Sequence, residues 1–373
     1  MANPSEYAQA GVDYRKIAPF KRAMQDVSRR TREFPYRHQV RIIEVPHGHG
    51  AVYEYRYAHL PHLWCQTTEG LGNKNWIAEW MYQFAGTGQT YYRGIGVDAA
   101  LMAVNDLIAQ GAMPVTYTDE VAAGDSEWFE DERRARDLAE GFYEVCQLVG
   151  MALPAGESPS LRYLIKSEPP VKSCPSLSGC AIGLIAPDTN LVTGEKLHAG
   201  DRILGAPSSG LHANGISLVI KRAMGLPDKF MTKLANGKTL GEEVLIPTRS
   251  YVALVKALQL THIEIHALIP GTGGGVAKVA YDDRQFTYRI KSWVEVPLLF
   301  QYFRDLGVSV QDCLTTFNWG IGYYVIVPPH QVEPALVAGK KAGYDLVELG
   351  GVETGERCVI FEPEHLTLPP PGD

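Results

Sequence analysis

The stretch "GIGVDAALMAVNDLIAQGAMP", residues 94–114, is almost entirely apolar, yet it carries Asp98, Asn105 and Asp106. Within it, "VDAALMAVNDLIAQG" has helical length and spacing, and Gly111 is placed to end the helix as a C-cap. A helix turns about 100° per residue, so Asp98 and Asn105 fall within about 20° of each other and about 10 Å apart along the axis. One ion cannot bind both. An extended polyphosphate with its metal ions can span that distance. Asp106 lies about 80° round from Asp98, beside the stripe rather than opposite it. Two readings compete. In one, Asp98 sits in the first helical turn, where a carboxylate favours the dipole. In the other, the stripe serves metal and phosphate.

Working outward, "PVTYTDEVAAG" is β-branched and reads as a strand, as do "AVYEYRYAHL" (51–60), which alternates, and "HLWCQTTEG", which runs into a glycine turn. Residues 127–149 form the longest clear helix, with Ala135, Leu138, Phe142, Val145 and Val149 on one face. Asp125 or Ser126 can cap it, and Gly150 ends it. "LSGCAIGLIA" (177–186) reads as a buried strand. The turn-rich "PDTNLVTGEKLHAGD" marks a domain boundary, giving residues 1–190 and 191–373. Beyond it come strand "RILGA", helices "NGISLVIKRAMG" and "RSYVALVKALQL", and elements running to "GIGYYVIVPP". Helix "QVEPALVAGKKAG" and strands near 345–350 and 357–361 close the chain, and the tail "LTLPPPGD" reads as loose. The first forty residues read as an arm with a short helix. The class is α/β (α+β).

Composition narrows the partners. The 373 residues carry a formal net charge of −7, which offers no basic field for nucleic acid or an anionic membrane. No run of about 18 apolar residues predicts a transmembrane helix, and the N-terminus lacks the apolar core of a signal peptide. Six cysteines without a C-x-x-C pair indicate neither a zinc site nor a disulfide framework. A cytoplasmic protein is the expectation.

Other segments bear on the metal and phosphate reading. "TTEGLGNKN" (67–75) places Glu69, a glycine turn and Lys74 directly after a strand. A carboxylate can hold Mg²⁺ and a lysine can meet phosphate; a surface ion pair is the plainer alternative. "GTGGGVAK" (271–278) opens a helix and can aim N–H groups at an anion, although no G-K-[ST] follows. "PSSGLHANG" (207–215) offers Ser208, Ser209, His212 and Asn214 before another helix, which suits a phosphate or sugar; an N-cap turn is the plainer alternative. "HGHG" (47–50) reads as an exposed turn.

Taken in order, these motifs resemble the aminoimidazole ribonucleotide synthetase, or phosphoribosylformylglycinamidine cyclo-ligase, family. "YAQAGVDY" looks like its Y-x-x-A-G-V-D start, and "TTEGLGNK" like its T-D-G-V-G-T-K. The opening stretch is close to G-I-D-L-V-A-M-x-V-N-D-L-x-x-x-G-A-x-P. "PAGES" stands where the family has G-G-E-T, and "SSGLHANGISLVIK" resembles S-S-G-x-H-S-N-G-x-S-L-V-R-K. "IPTRSYV", "TGGG" and "FNWGIGYYVIV" match later segments.

The resemblance implies two domains, an N-terminal ATP- and metal-binding domain whose strands pair across a homodimer and a C-terminal α/β domain. It implies a reaction in which ATP activates the amide oxygen of formylglycinamidine ribonucleotide as a phosphoryl ester. A nitrogen of the same substrate then closes the imidazole ring, giving aminoimidazole ribonucleotide, ADP and phosphate. Such chemistry needs placement and charge neutralisation. Carried over residue by residue, Glu69, Asp98 and Asp106 hold Mg²⁺. Lys74, His212 and Glu157 are the catalytic candidates. Gly70, Gly72, Asn105, Ser208, Ser209, Asn214, Thr272, Gly273, Gly274 and Gly275 bind ATP or the phosphorylated ribonucleotide. The sequence departs from the family at Glu69 (an aspartate there), Asn73 (a threonine) and "AGES". A glycine-rich stretch before the first strand is missing, and a histidine before the T-G-G-G segment is displaced, with His266 upstream of Pro270. These departures keep two alternatives: another ATP-using enzyme of the superfamily, such as a small-molecule kinase or selenophosphate synthetase, and a non-catalytic nucleotide-binding paralogue.

Overall fold

A computed structural model describes residues 40–45, 51–55 and 62–371. The expected N-terminal arm, the "YAQAGVDY" motif and "HGHG" lie outside the described residues.

Two sheets organise the chain. The first contains β1 (Val40–Ile43), β2 (Ala51–Tyr55), β3 (Leu63–Gly70), β4 (Met113–Ala122), β5 (Ala152–Glu157) and β6 (Ser176–Ile185), in the order β1-β2-β3-β6-β4-β5. Only β4 and β5 pair in parallel. The second contains β7 (Arg202–Pro207), β8 (Ala267–Pro270), β9 (Phe286–Ile290), β10 (Ile321–Val327), β11 (Val347–Thr354), β12 (Cys358–Phe361) and β13 (Leu366–Leu368), in the order β13-β12-β9-β11-β7-β10-β8. The first sheet ends at Ile185 and the second begins at Arg202. The expected mixed α/β two-domain architecture is therefore present.

On the first sheet lie α1 (Lys74–Phe84), α2 (Tyr92–Leu107) and α3 (Glu132–Val149). The opening stretch is α2, and nearly all its residues are buried because the sheet covers one side and α3 the other. The crossing is tight: a Cβ on Gly96 would lie 2.4 Å from the Leu138 carbonyl oxygen, and one on Gly141 2.1 Å from that of Arg93. Only glycine lets the two backbones approach this closely. These glycines also hide the start of the helix, since glycine is a poor helix former. The helix begins at Tyr92, so Asp98 is not in its first turn and the dipole reading of Asp98 fails.

Two further expectations are corrected. Asp131, not Asp125 or Ser126, caps α3, accepting from the amides of Arg133 and Arg134; Asp125 caps the short 3-10 turn Ser126–Glu130 before it. The tail is not wholly loose: Leu366–Leu368 pairs with β12 and buries Leu368.

Around the second sheet lie α4 (Ile216–Met224), α5 (Leu240–Val244), α6 (Val252–Leu260), α7 (Leu298–Asp305), α8 (Val310–Thr316) and α9 (Val332–Lys341). Central β10 is buried at every position, as expected for a strand covered on both faces.

Candidate functional site

The polar stripe on α2 meets the protein itself. Lys74 Nζ lies 2.8 Å from Asp98 Oδ2, and both side chains are 0% exposed. The same ammonium donates to the Ile246 carbonyl at 2.8 Å, while Asp98 Oδ1 accepts from the Thr248 amide at 2.8 Å and its hydroxyl at 2.5 Å. Burial pushes the Lys74 ammonium down and the Asp98 carboxyl up; their mutual attraction opposes both shifts. One turn-pair along, Asn105 donates to the Arg249 carbonyl at 2.9 Å and accepts from the Tyr251 amide at 3.1 Å. The stripe thus grips residues 246–251 of the second half. In this structure Lys74 and Asp98 face each other rather than an open space, each the other's buried partner.

Asp106 is buried elsewhere on α2. Burial pushes its carboxyl up to about 6, against the pull of the Lys278 ammonium. Lys278 donates to the Thr272 hydroxyl, so α2 and the glycine-dense segment do converge. That segment opens a 3-10 helix, Gly275–Ala280, not an α-helix. Gly275 has φ +60°, and a Cβ there would lie 2.4 Å from the Leu314 carbonyl oxygen, so close packing against α8 requires this glycine. Thr272, Gly273 and Gly274 remain partly exposed beside it.

In the 208–215 loop, His212 is buried with φ +61°, and burial, then Lys74 and Arg249, push its imidazole down to about 3. Its Nε2 accepts from the Ser209 amide at 3.3 Å, so the ring is neutral with its proton on Nδ1. In this structure His212 orders the loop through that bond. Ser208 donates to Asn318 at 3.2 Å and Ser209 to the Pro247 carbonyl at 2.6 Å. Asn214 keeps a buried amide nitrogen without a hydrogen-bond partner.

The open site lies between the halves. A cleft of about 730 Å³ is bounded by Gly70, Gly72 and Asn73 on one side, by residues 165–169 and 174–178, and by Ser217, Ile220 and Met224 of α4. Asn73 bridges it, donating to Ser217 at 3.0 Å. Asn75 and Trp76 in the first turn of α1 and Ser217 in that of α4 line the walls, and no side chain caps either helix start. Two uncapped starts facing one space favour an anion. Ile165, Lys166, Ser167 and Cys174 also line an adjoining recess of about 230 Å³, which holds Arg162, Lys172 and Asp125.

A carboxylate row ends the first sheet next to this cleft. Glu69 pairs with Gly179, which pairs with Asp119, which pairs with Gly156. Alternation along β3 and β4 turns Glu69 and Asp119 to the helix side, as it does Cys65 and Tyr117, whose partners Leu107 and Ala99 are on α2. Two strand spacings separate the acids by about 10 Å. A Cβ on Gly156 would lie 2.4 Å from Asp119 Oδ1, so glycine makes room for that carboxylate. Burial pushes the Asp119 carboxyl up. Glu157 pairs with Glu120 on the opposite, exposed face and accepts from the Ser158 amide at 2.7 Å. The structure therefore separates Glu157 from Glu69. Sequence reasoning missed Asp119; its signal was the consecutive "DE" closing a strand. It also missed the basic recess, whose signal was three cations in "LRYLIKSEPPVK".

Comparison with known proteins matches residues 56–185 to the family model "AIR synthase related protein, N-terminal domain" and residues 198–362 to its C-terminal counterpart. The phosphoribosylformylglycinamidine cyclo-ligase of Pyrococcus horikoshii is 33% identical over 365 residues, covering 97% of each chain. That of Rippkaea orientalis is 31% identical over 364 residues, covering 96% of this chain and 99% of the relative. The solved structure of AaThiL complexed with AMPPCP and TMP shares the fold at TM-score 0.57 and 16% identity, covering 87% and 90% of the two chains. This chain belongs to the AIR synthase related family.

Proposed function

We propose that this member of the AIR synthase related family is the ATP-dependent ligase that closes formylglycinamidine ribonucleotide to aminoimidazole ribonucleotide, a step of purine biosynthesis. The observation that carries the reading is the cleft between the two halves, lined by two uncapped helix starts and adjoined by the basic recess. It suits a phosphorylated ribonucleotide beside a nucleotide. Relatives spanning nearly the whole chain at 31–33% identity carry the cyclo-ligase name.

Within this reading, Arg162, Lys166 and Lys172 hold the substrate's phosphate by charge, and the starts of α1 and α4 take phosphate oxygens of either ligand. Trp76, Ile220 and Met224 supply apolar wall that fixes the organic part and excludes water. Asn73 and Asn75 orient groups at the mouth. Glu69 and Asp119 are oxygen-only donors that suit hard cations; about 10 Å apart, each would hold its own Mg²⁺ on an extended polyphosphate, neutralising charge around the transferring phosphoryl group. Asp106 takes part through Lys278, which it draws toward Thr272 and the glycine segment.

We place the domain division near residue 190 and the protein in the cytoplasm as a homodimer. No helix of the described residues is long and apolar enough to cross a membrane, and all six cysteines are free thiols. Support for a dimer comes from the face of the first sheet away from α2, where Tyr53, Trp64, Leu184 and Met113 share one row and all are partly exposed. A monomer in sedimentation at micromolar concentration removes the dimer.

The activity test supplies formylglycinamidine ribonucleotide, ATP and Mg²⁺ and follows aminoimidazole ribonucleotide and ADP in equal amounts. Absence of the imidazole product from folded protein, with Mn²⁺ as well as Mg²⁺, sinks the reading. ADP release driven by thiamine monophosphate would transfer it to the kinase branch, and ATP binding without any turnover to a non-catalytic paralogue.

A further inference from the structure

The displaced histidine has its own surroundings, at the other end of β7 from Ser208. His266 Nδ1 lies 2.8 Å from Asp201 Oδ2. Asp201 immediately precedes β7, is 0% exposed, and its Oδ1 has no hydrogen-bond partner. His198, in the turn before it, brings Nδ1 to 3.4 Å from that Oδ1 and donates its backbone amide to Oδ2 at 3.0 Å. The imidazole centroids are 5.2 Å apart. One donor atom from each residue can be chosen so that all three lie within 4.8 Å of one another.

The geometry points to a transition-metal site, with His198, Asp201 and His266 as ligands to a divalent ion of the zinc class, separate from the nucleotide cleft. Metal–ligand bonds of about 2.0–2.2 Å set neighbouring donor atoms about 3–3.5 Å apart; the 3.4 Å contact lies in that range and the 2.8 Å contact just below it, so a small opening of the pair admits the ion. Two imidazoles and one carboxylate select Zn²⁺, Ni²⁺ or Co²⁺ over Mg²⁺ or Ca²⁺.

The surroundings fit as well. Coordination through Nδ1 moves each imidazole proton to Nε2, and Nε2 of His266 then has the Glu264 carboxylate 3.5 Å away as its acceptor. A carboxylate on the far nitrogen is the usual support for a ligating histidine. His198 gives up its contact with the Lys196 carbonyl, 3.0 Å from Nδ1, and an exposed turn allows this. The backbone of Asp201 is fixed by the Val352 amide, which donates to its carbonyl at 2.9 Å, so one ligand is rigid before the ion arrives. The exposed side chain of His198 leaves solvent access for the remaining coordination positions. A buried carboxylate oxygen without a donor is what such an ion satisfies.

The test uses the full chain, stripped with chelator and titrated with Zn²⁺ by calorimetry, and with Co²⁺ by visible absorption. Alkylating the cysteines first removes thiolate binding. One equivalent of Zn²⁺ with a Kd of about 10 µM or tighter, and a Co²⁺ spectrum of nitrogen and oxygen ligation, are expected. His266→Gln and His198→Gln should each weaken binding at least about a hundredfold. His198 is exposed, so His198→Gln stays informative even if His266→Gln or Asp201→Asn fails to fold. Zn²⁺ binding unchanged in folded His198→Gln, or absent from the parent at 100 µM Zn²⁺, overturns the site.

Discussion

Replacing Lys74 with methionine keeps most of the side chain's bulk and deletes its charge. The structure makes this a stability experiment. Asp98 would keep two donors from Thr248 at 2.8 and 2.5 Å but lose the ammonium at 2.8 Å, in a place with no water to replace it. Breaking a buried pair from one side costs about 3–5 kcal/mol, because the remaining charge is uncompensated. Asp98→Asn leaves the Lys74 ammonium with only the Ile246 carbonyl and should cost a similar amount. The double variant leaves neither charge, so its cost should fall short of the sum by about 1–3 kcal/mol. Urea unfolding followed by fluorescence reports the right region, since Trp76 and Trp80 lie on the helix that Lys74 begins. The refuting result is a Lys74→Met protein with an unchanged urea midpoint and turnover lowered at least about tenfold, equivalent to about 1.4 kcal/mol. That would mean the lysine meets phosphate in the working enzyme and that the sealed pair is not its functional arrangement.

Asp106 has a folded pKa of about 6 against 3.8 for an ordinary aspartate. The folded state then holds the extra proton between about pH 4 and 6, so this group's contribution falls as pH rises through that window and is flat above it, by about 3 kcal/mol in all; the parent-minus-Asp106→Asn difference in unfolding free energy should show this slope. His212 runs the other way. Its pKa of about 3 lies below 6.5, so its contribution is full above about pH 6.5 and is lost as pH falls toward 3; His212→Gln should blunt acid unfolding. Arg162→Ala and Lys166→Ala should each raise KM for the phosphorylated substrate about tenfold, with smaller effects at high salt and an unchanged urea midpoint. Glu79 is 0% exposed and accepts from Tyr92, Trp128 and Arg134, so Glu79→Ala should cost about 3–5 kcal/mol while the folded fraction keeps its KM.

The local periods were legible. Alternation marked β2 and the three-four spacing marked α3, because an element that buries one face records that face in its pattern. Gly150 was legible as a terminator because its φ of +75° suits glycine above other residues. What sequence could not display was pairing at long range. Asp98 and Thr248 are separated by 150 positions, and nothing in either segment names the other. Asp119 was hidden for a similar reason: its room comes from Gly156 on the neighbouring strand, and strand order is not written in any one strand.

This recasts the question posed by the polar residues in an apolar helix. A carboxylate and an amide on α2 are used to take hold of residues 246–251, and they do so through directional bonds to backbone groups at 248, 249 and 251. Apolar contact alone would tolerate a shift of that segment along the helix; these bonds do not, since a slip of one residue would leave buried donors and acceptors unmatched. The cleft depends on that register, because Ser217 on one wall belongs to the second half and Asn73 on the other to the first. Asp98→Asn and Asn105→Ala should therefore disturb substrate affinity even in the folded fraction, raising KM while the isolated first-sheet packing, read from Trp128 fluorescence, stays as it was. Equal loss of both signals would show the stripe to be a plain stabiliser with no hold on the cleft.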